Sequence, residues 1–287
     1  METTDLLKKV RKIEIKTKGL SQHIFSGQYQ SAFKGRGMAF SEVREYAYGD
    51  DVRSIDWNVT ARFNRPYIKV FEEERELTVM LLIDVSNSNL FGTQKQFKQD
   101  LITEIAAVLA FSAIHNNDKV GVIFFSDHVE KYIPPKKGRS HILRIIRELL
   151  VTTPVHKQTN IGEAMRFLNN VIKKRSTTFV LSDFFDKDYE HALKIVKKKH
   201  DVIALRMYDE REAELPNVGL MRVVDHETNR EMTIDTRLRS NREAYRNWWL
   251  NHDKHTEDTF KRFAIRATKI KTDEDYVRPL TKLFRKK

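Results

Sequence analysis

The stretch Leu77-Thr78-Val79-Met80-Leu81-Leu82-Ile83-Asp84-Val85-Ser86-Asn87-Ser88 decides the fold. Its first seven residues are almost uninterrupted apolar side chains, as a strand buried on both faces requires. The run then breaks into a carboxylate and two hydroxyls in the pattern Asp-x-Ser-x-Ser. In open α/β sheets, ligands bind where strands end and loops begin. Three short oxygen-bearing side chains at such an end can converge on one hard cation, so Asp84, Ser86 and Ser88 are read as part of a Mg²⁺ site.

Working outward, the segment after Glu76 alternates strand and helix. Phe97 to His115 places Leu101, Ile105, Val108, Leu109 and Phe111 at the spacing of a core-facing helix. Lys119–Phe125 reads as a strand, with Val129–Ile133 pairing back on it. Ser140–Leu150 and Ile161–Ile172 read as helices, and Thr177–Ser182 and Val202–Arg206 as strands. Met221–Val224 and Glu231–Ile234 flank a polar turn as a hairpin insertion near 221–234. Arg239 to Phe263 reads as a long amphipathic helix, Ala264–Lys271 as a last strand and Tyr276–Arg285 as a last helix. The alternation predicts an α/β protein with a mainly parallel sheet covered by helices on both faces. Residues 1–75 carry turn signals, a strand at Tyr67-Ile68-Lys69-Val70 and a short helix over 1–12. They are read as a small β-rich appendage, and 76–287 as the main domain.

Composition narrows the function classes. The 287 residues contain no cysteine, which excludes disulfides, thiolate chemistry and cysteine-ligated zinc. No run approaches the ~18 apolar residues of a membrane helix, and the N-terminus lacks an apolar signal core, so a cytoplasmic location is expected. The net charge is +12, which invites a nucleic-acid reading. The excess is spread along the chain without a basic arm. Lys136-Lys137, Lys173-Lys174-Arg175 and Lys197-Lys198-Lys199 read as decoration of helix ends and loops.

Two further loops offer oxygens of the kind Asp84 would need beside it. Thr159 stands just before a helix, and Asp183 ends the buried strand Phe179-Val180-Leu181-Ser182. Taken singly, Thr159 reads equally as a helix cap, Asp183 as a loop residue, and Ser86 and Ser88 as turn residues. Taken together at successive strand ends, the five resemble the metal-ion-dependent adhesion site of von Willebrand factor A domains. That resemblance implies ligation by the hydroxyls of Ser86, Ser88 and Thr159. It also implies that Asp84 and Asp183 act directly or through waters, and that a partner's acidic side chain completes the shell. Mn²⁺ could replace Mg²⁺.

Gly35-Arg36-Gly37-Met38-Ala39-Phe40-Ser41-Glu42-Val43-Arg44-Glu45-Tyr46, followed by Gly49-Asp50-Asp51-Val52-Arg53-Ser54-Ile55-Asp56-Trp57, resembles the signature of a bacterial family called "domain of unknown function 58". Phe71-Glu72-Glu73-Glu74-Arg75 and the ending Thr272-Asp273-Glu274-Asp275-Tyr276 extend the likeness, while Ala39 departs from the glutamate usual before the phenylalanine. The resemblance implies a von Willebrand factor A-like domain after a smaller β segment. It also implies an adaptor role beside a MoxR-type AAA+ ATPase in protein maturation or chaperone-like remodelling. Within the signature, Arg44, Arg53 and Arg62 read either as partners of Asp50, Asp51 and Asp56 or as contacts for a partner's acids. Trp57 reads as an anchor of the appendage.

No phosphate loop of the G-x-x-x-x-G-K-[ST] type and no G-x-S-x-G elbow occurs. His252 and His255 lack a third metal ligand at a recognisable spacing and read as solvent-facing. Trp248-Trp249 reads as helix packing. The leading expectation is a non-enzymatic, Mg²⁺-dependent protein-binding module. The alternatives are a Mg²⁺-dependent phosphohydrolase or phosphotransferase with Asp84 as nucleophile, which Ser86 disfavours because such sites carry a second aspartate there, and a charge-driven nucleic-acid binder.

Overall fold

The computed structural model describes residues 10–14, 16–17, 38–73, 77–86, 88, 97–152, 158–186, 188–224 and 231–284. Gly35-Arg36-Gly37, Glu74-Arg75, Asn87, residues 1–9 of the expected first helix and the turn of the 221–234 hairpin lie outside these residues. The chain divides into two compact units, Phe33–Leu77 and the remainder. The expected boundary at 75/76 kept residues 1–75 together. The contacts instead group the described helical residues 10–14 with the main unit, where Arg139 Nε donates to Glu14 Oε1 at 2.6 Å.

The smaller unit is an antiparallel pair, β1 (Met38–Glu45) and β2 (Tyr67–Glu73). Between them lie a 3₁₀ turn (Val52–Ser54) and a helix, α1 (Trp57–Phe63), that the β-rich reading did not anticipate. The signature acids make these elements. Asp51 accepts from the Arg53 backbone N–H at 3.0 Å, and Asp56 accepts from Asn58 and Val59 N–H at 3.0 and 3.3 Å. Such caps satisfy donors that a helix start leaves orphaned. Asn64, in the left-handed region at φ 57°, ends α1. Arg44 grips Asp50 through two hydrogen bonds of 2.8 and 2.7 Å, whereas Arg53 and Arg62 are exposed. Trp57, expected as an anchor, is 70 % exposed.

The main unit is built on a six-stranded sheet. Its strands are β3 (Thr78–Asp84), β4 (Lys119–Phe125), β5 (Val129–Lys136), β6 (Thr177–Ser182), β7 (Asp201–Tyr208) and, after a separate hairpin of β8 (Leu220–Val224) and β9 (Glu231–Asp235), β10 (Arg266–Lys271). The spatial order is β10-β7-β6-β3-β4-β5, with only β5 antiparallel to its neighbour. Every residue of β6 and six of seven in β3 and β4 are buried, the pattern of strands covered on both faces. The helices are α2 (Lys98–His115), α3 (Arg139–Val151), α4 (Ile161–Val171), α5 (Glu190–Lys199), α6 (Arg239–Arg262) and α7 (Val277–Phe284).

Helix α2 is buried around most of its circumference: Ile102, Ala106, Ala107, Ala110 and Ala113 are buried along with Leu101, Ile105 and Val108. Small side chains on its flanks let it lie close to its neighbours, so it is a core helix rather than a half-wetted one. The sheet order reverses direction between β3 and β6. At that point the crossover connections leave to opposite sides and open a crevice above the strand ends. The mixed α/β sheet with its helices is the expected fold.

Candidate metal centre

Asp84 is the last residue of β3, and Asp183 directly follows β6, so the two carboxylates stand on either side of the crevice. Ser86 and Ser88 follow on the β3 loop, and Thr159 lies in the loop entering α4. The structure brings the five together. Ser86 Oγ is 3.0 Å from Ser88 Oγ, and Thr159 Oγ1 donates to Ser86 Oγ at 2.8 Å. Asp84 Oδ1 accepts from Ser86 N–H at 2.9 Å and Asp84 Oδ2 from Ser182 Oγ at 2.6 Å. A hydrogen bond from Ser88 also favours the charged form of Asp183. Thr159 is not the cap of α4; Asn160 is, its side chain accepting from Glu163 N–H at 2.8 Å.

These spacings suit a hard divalent ion. Ligands held at about 2.1 Å in adjacent octahedral positions lie about 3.0 Å apart. Ser86 Oγ lies 2.8 Å from the Thr159 hydroxyl and 3.0 Å from the Ser88 hydroxyl, so each of these pairs has the spacing of adjacent ligands on one ion. The donors are all oxygens, which suit Mg²⁺ or Mn²⁺ better than a soft metal. Among the described residues no group of three or more His, Cys, Asp or Glu side chains is arranged to hold a metal. A cation here would rest on hydroxyls as much as on charge.

The electrostatics point the same way. Asp84 and Asp183 are 2 % and 1 % exposed. Burial, reinforced by the Asp183 charge, pushes the Asp84 carboxyl up to about 6, against the pull of the Ser182 and Ser86 hydrogen bonds. Burial opposes ionisation of Asp183 as well, but the neighbouring Lys98 ammonium outweighs it and holds that carboxyl below the usual range. Two buried carboxylates of like charge across a crevice form a site that gains from a cation.

Sequence reasoning missed that Lys98 supplies one. Its side chain is fully buried, with Nζ 3.0 Å from Asp183 Oδ2 and 2.6 Å from Glu212 Oε1. The available signal was position: Lys98 falls on the same stripe of α2 as Leu101, Ile105 and Val108. Arg206, 2 % exposed, was missed as well. Its Nε donates to the Asp183 carbonyl at 3.1 Å and its NH1 to Asp253 Oδ1 at 2.6 Å.

Beyond Asp183 the backbone turns through Phe184 at φ 60°, sending that ring into the core. Phe185 then stacks on His252 with ring centroids 4.3 Å apart. His252 is therefore half-buried rather than solvent-facing, while His255 is exposed beside Glu190. Of the tryptophan pair, Trp249 packs inward at 8 % exposure and Trp248 stays 54 % exposed. Ser86 finds Ser88, Thr159 and Asp84 as its partners among the described residues, with no histidine to activate it.

A mainly parallel sheet in this order, with Asp-x-Ser-x-Ser, Thr and Asp gathered at its switch point, is a von Willebrand factor A-like fold. A solved structure of an aerotolerance-related membrane protein from Bacteroides fragilis shares the fold, at a TM-score of 0.50 and 17% identity, over 72% of this chain and 98% of that one. Proximal thread matrix protein 1 from the mussel byssus, with a zinc-occupied MIDAS motif, aligns at a TM-score of 0.37 and 18% identity over 46% of this chain and 38% of that one. That likeness is too slight to carry its ion across. The chain belongs to the family described as "Protein of unknown function DUF58", whose profile matches residues 42–255. Among its relatives is the uncharacterized protein Rv1480 of Mycobacterium tuberculosis, 29% identical over 235 residues, or 80% of this chain and 74% of that protein. Among the described residues, no helix is long and apolar enough to cross a membrane.

Proposed function

We propose that this protein is a Mg²⁺-dependent protein-binding module that uses the partner's own carboxylate to complete the metal shell. Ser86, Ser88 and Thr159 would hold the ion through hydroxyls, and Asp84 and Asp183 directly or through water. When bound, the ion supplies a Lewis-acidic vertex for an incoming Asp or Glu. Mn²⁺ would serve in its place. The observation that carries this reading is the pair of hydroxyls beside Ser86 Oγ, Thr159 at 2.8 Å and Ser88 at 3.0 Å, spacings that match adjacent ligands of an octahedral shell.

The protein's own groups do the rest. Ser182 and the Ser86 backbone orient Asp84. The same contacts weigh against Asp84 as a nucleophile, because both its oxygens are engaged and it is 2 % exposed. Charge-driven nucleic-acid binding draws no support from a specific arrangement of groups.

The family resemblance makes a MoxR-type AAA+ ATPase the first partner to test, with this protein as adaptor. Arg53 and Arg62 of the smaller unit, exposed on its surface, would add contacts to acids on the same partner; Arg44, already held by Asp50, would contribute less. The test is direct binding of the purified ATPase from the same genome to the wild type and to Asp84→Ala. Both are measured in Mg²⁺ and in EDTA, with nucleotide omitted so that the ATPase's own metal does not intervene. Binding that requires Mg²⁺ and Asp84 supports the reading; binding indifferent to both removes it.

A further inference from the structure

Lys98 is the first residue of α2, and that is a poor place for a cation. The start of a helix carries partial positive charge, and taking an ammonium fully out of water is opposed by desolvation unless good partners meet it. The side chain is nevertheless 0 % exposed. Its ammonium lies between two carboxylates from distant parts of the chain, Asp183 at 3.0 Å and Glu212 at 2.6 Å.

Both carboxylates are held from behind. Glu212 Oε2 accepts from the Asp209 backbone N–H at 3.0 Å in a reciprocal capping box, and the Glu212 carbonyl accepts from Tyr245 Oη at 2.9 Å. Asp183 has its carbonyl tied to Arg206 and its Oδ1 to Phe185 N–H at 3.2 Å. So much fixed structure around one lysine exceeds what packing alone requires.

We infer that Lys98 is a built-in counter-ion for the metal centre, holding Asp183 in place when no metal is bound and lowering the affinity of the divalent ion that binds beside it. This rests on the reading of Asp84, Ser86, Ser88, Thr159 and Asp183 as a divalent-cation site. The charges give the argument its sign. Asp84, Asp183 and Glu212 set against Lys98 leave two negative charges for a divalent ion to neutralise. Removing the ammonium leaves three and removes a cation that touches a ligand carboxylate, so the ion binds more tightly. Removing the Glu212 charge leaves one, so the ion binds more weakly. A lysine that served only to fill space would not move the two variants in opposite directions.

The experiment titrates Mg²⁺ and Mn²⁺ calorimetrically into the wild type, Lys98→Met, Glu212→Gln and Asp84→Ala, and follows melting temperature in EDTA and in Mg²⁺. Lys98→Met is expected to bind Mg²⁺ at least tenfold more tightly, to melt lower than wild type in EDTA and to recover in Mg²⁺. Glu212→Gln is expected to bind at least threefold more weakly. Equal affinity in wild type and Lys98→Met, or weaker binding by Lys98→Met, overturns the counter-ion role while leaving the metal site standing. Absence of Mg²⁺ and Mn²⁺ binding at millimolar concentration in every variant overturns the metal site and the counter-ion with it. Should Lys98→Met fail to fold, Glu212→Gln decides alone: weaker binding supports the role, and unchanged or tighter binding overturns it.

Discussion

Ser182 Oγ donates a 2.6 Å hydrogen bond to Asp84 Oδ2, tying the ends of β6 and β3 together across 98 positions of sequence. Both groups are buried, so the bond also stands in for water that Asp84 has lost. Ser182→Ala leaves that oxygen short of a donor. The loss of a hydrogen bond to a buried charged group costs about 1–3 kcal/mol. Urea unfolding in EDTA should show a fall of that size, and Mg²⁺ affinity should fall too, because Asp84 is no longer held in its orientation. An unchanged unfolding free energy would mean that the hydroxyl contributes nothing to holding Asp84.

Thr159 and Asn160 are adjacent, yet the structure gives them different work, and mutation should separate them. Thr159 Oγ1 reaches Ser86 at 2.8 Å, while Asn160 Oδ1 caps α4 through Glu163 N–H. Thr159→Val removes one hydroxyl of the proposed metal site from a half-buried position and should lower Mg²⁺ affinity at least tenfold. Its effect on stability in EDTA should stay near 1 kcal/mol, the worth of one hydrogen bond. Asn160→Ala should do the reverse, costing about 0.5–2 kcal/mol of stability through the lost cap with little effect on affinity. Calorimetric titration and chemical denaturation of the pair measure both quantities, and equal behaviour of the two variants would count against the division.

The elements most open to reading were those whose burial is two-sided. β3, β4 and β6 are apolar almost throughout, and Asp84 and Asp183 stand out because each ends such a run. The five proposed site residues stand out by type and spacing at such strand ends, and the structure places them near one another. α1 and α5 do not stand out. α1 has no buried residue, and its helical character rests on the Asp56 cap. α5 buries only Ala192, Leu193 and Val196, and the three lysines that close it read only as decoration of a helix end or loop. Lys98 escaped for a deeper reason. A lysine defaults to solvent in any sequence reading, and the carboxylates that permit its burial lie 85 and 114 residues away. Nothing local announces such a pairing.

His200 gives the fold a pH dependence remote from the metal centre. It is 1 % exposed, its Nδ1 lies 2.8 Å from Ser176 Oγ, and its Nε2 finds no hydrogen-bond partner among the described residues. Burial, with Lys199 adding repulsion, pulls the imidazole down to about 4. The unfolded chain, with an ordinary histidine, takes up a proton near pH 6.5; the folded chain does not until far lower. Stability is therefore fully present above about pH 6.5 and is lost as pH falls from there towards 4. The loss over that range is on the order of 3 kcal/mol. Denaturation midpoints between pH 7 and 4.5 should fall in the wild type and fall less in His200→Gln; parallel curves would show that another group governs the slope.

Gly121 sits in β4 where a side chain has no room. A Cβ there would come within 2.7 Å of Met80 Sδ, 2.9 Å of Pro135 N and 3.1 Å of Ile133 O. The thioether can swing aside, but the two backbone atoms belong to β5, whose pairing with β4 shifts register between Val120 and Val122. Two effects compete in Gly121→Ala. Restricting the unfolded chain stabilises by about 0.4–1 kcal/mol, and overpacking a tight interior destabilises by about 1–3 kcal/mol. The clash is with backbone on an adjacent strand, so the second effect prevails, and a net loss near 1–2 kcal/mol is expected from urea unfolding. Gly121→Val should lose more, because its branches add contacts on both faces. A Gly121→Ala protein as stable as wild type would show that β5 yields without cost, and that the edge of the sheet is softer than its buried strands imply.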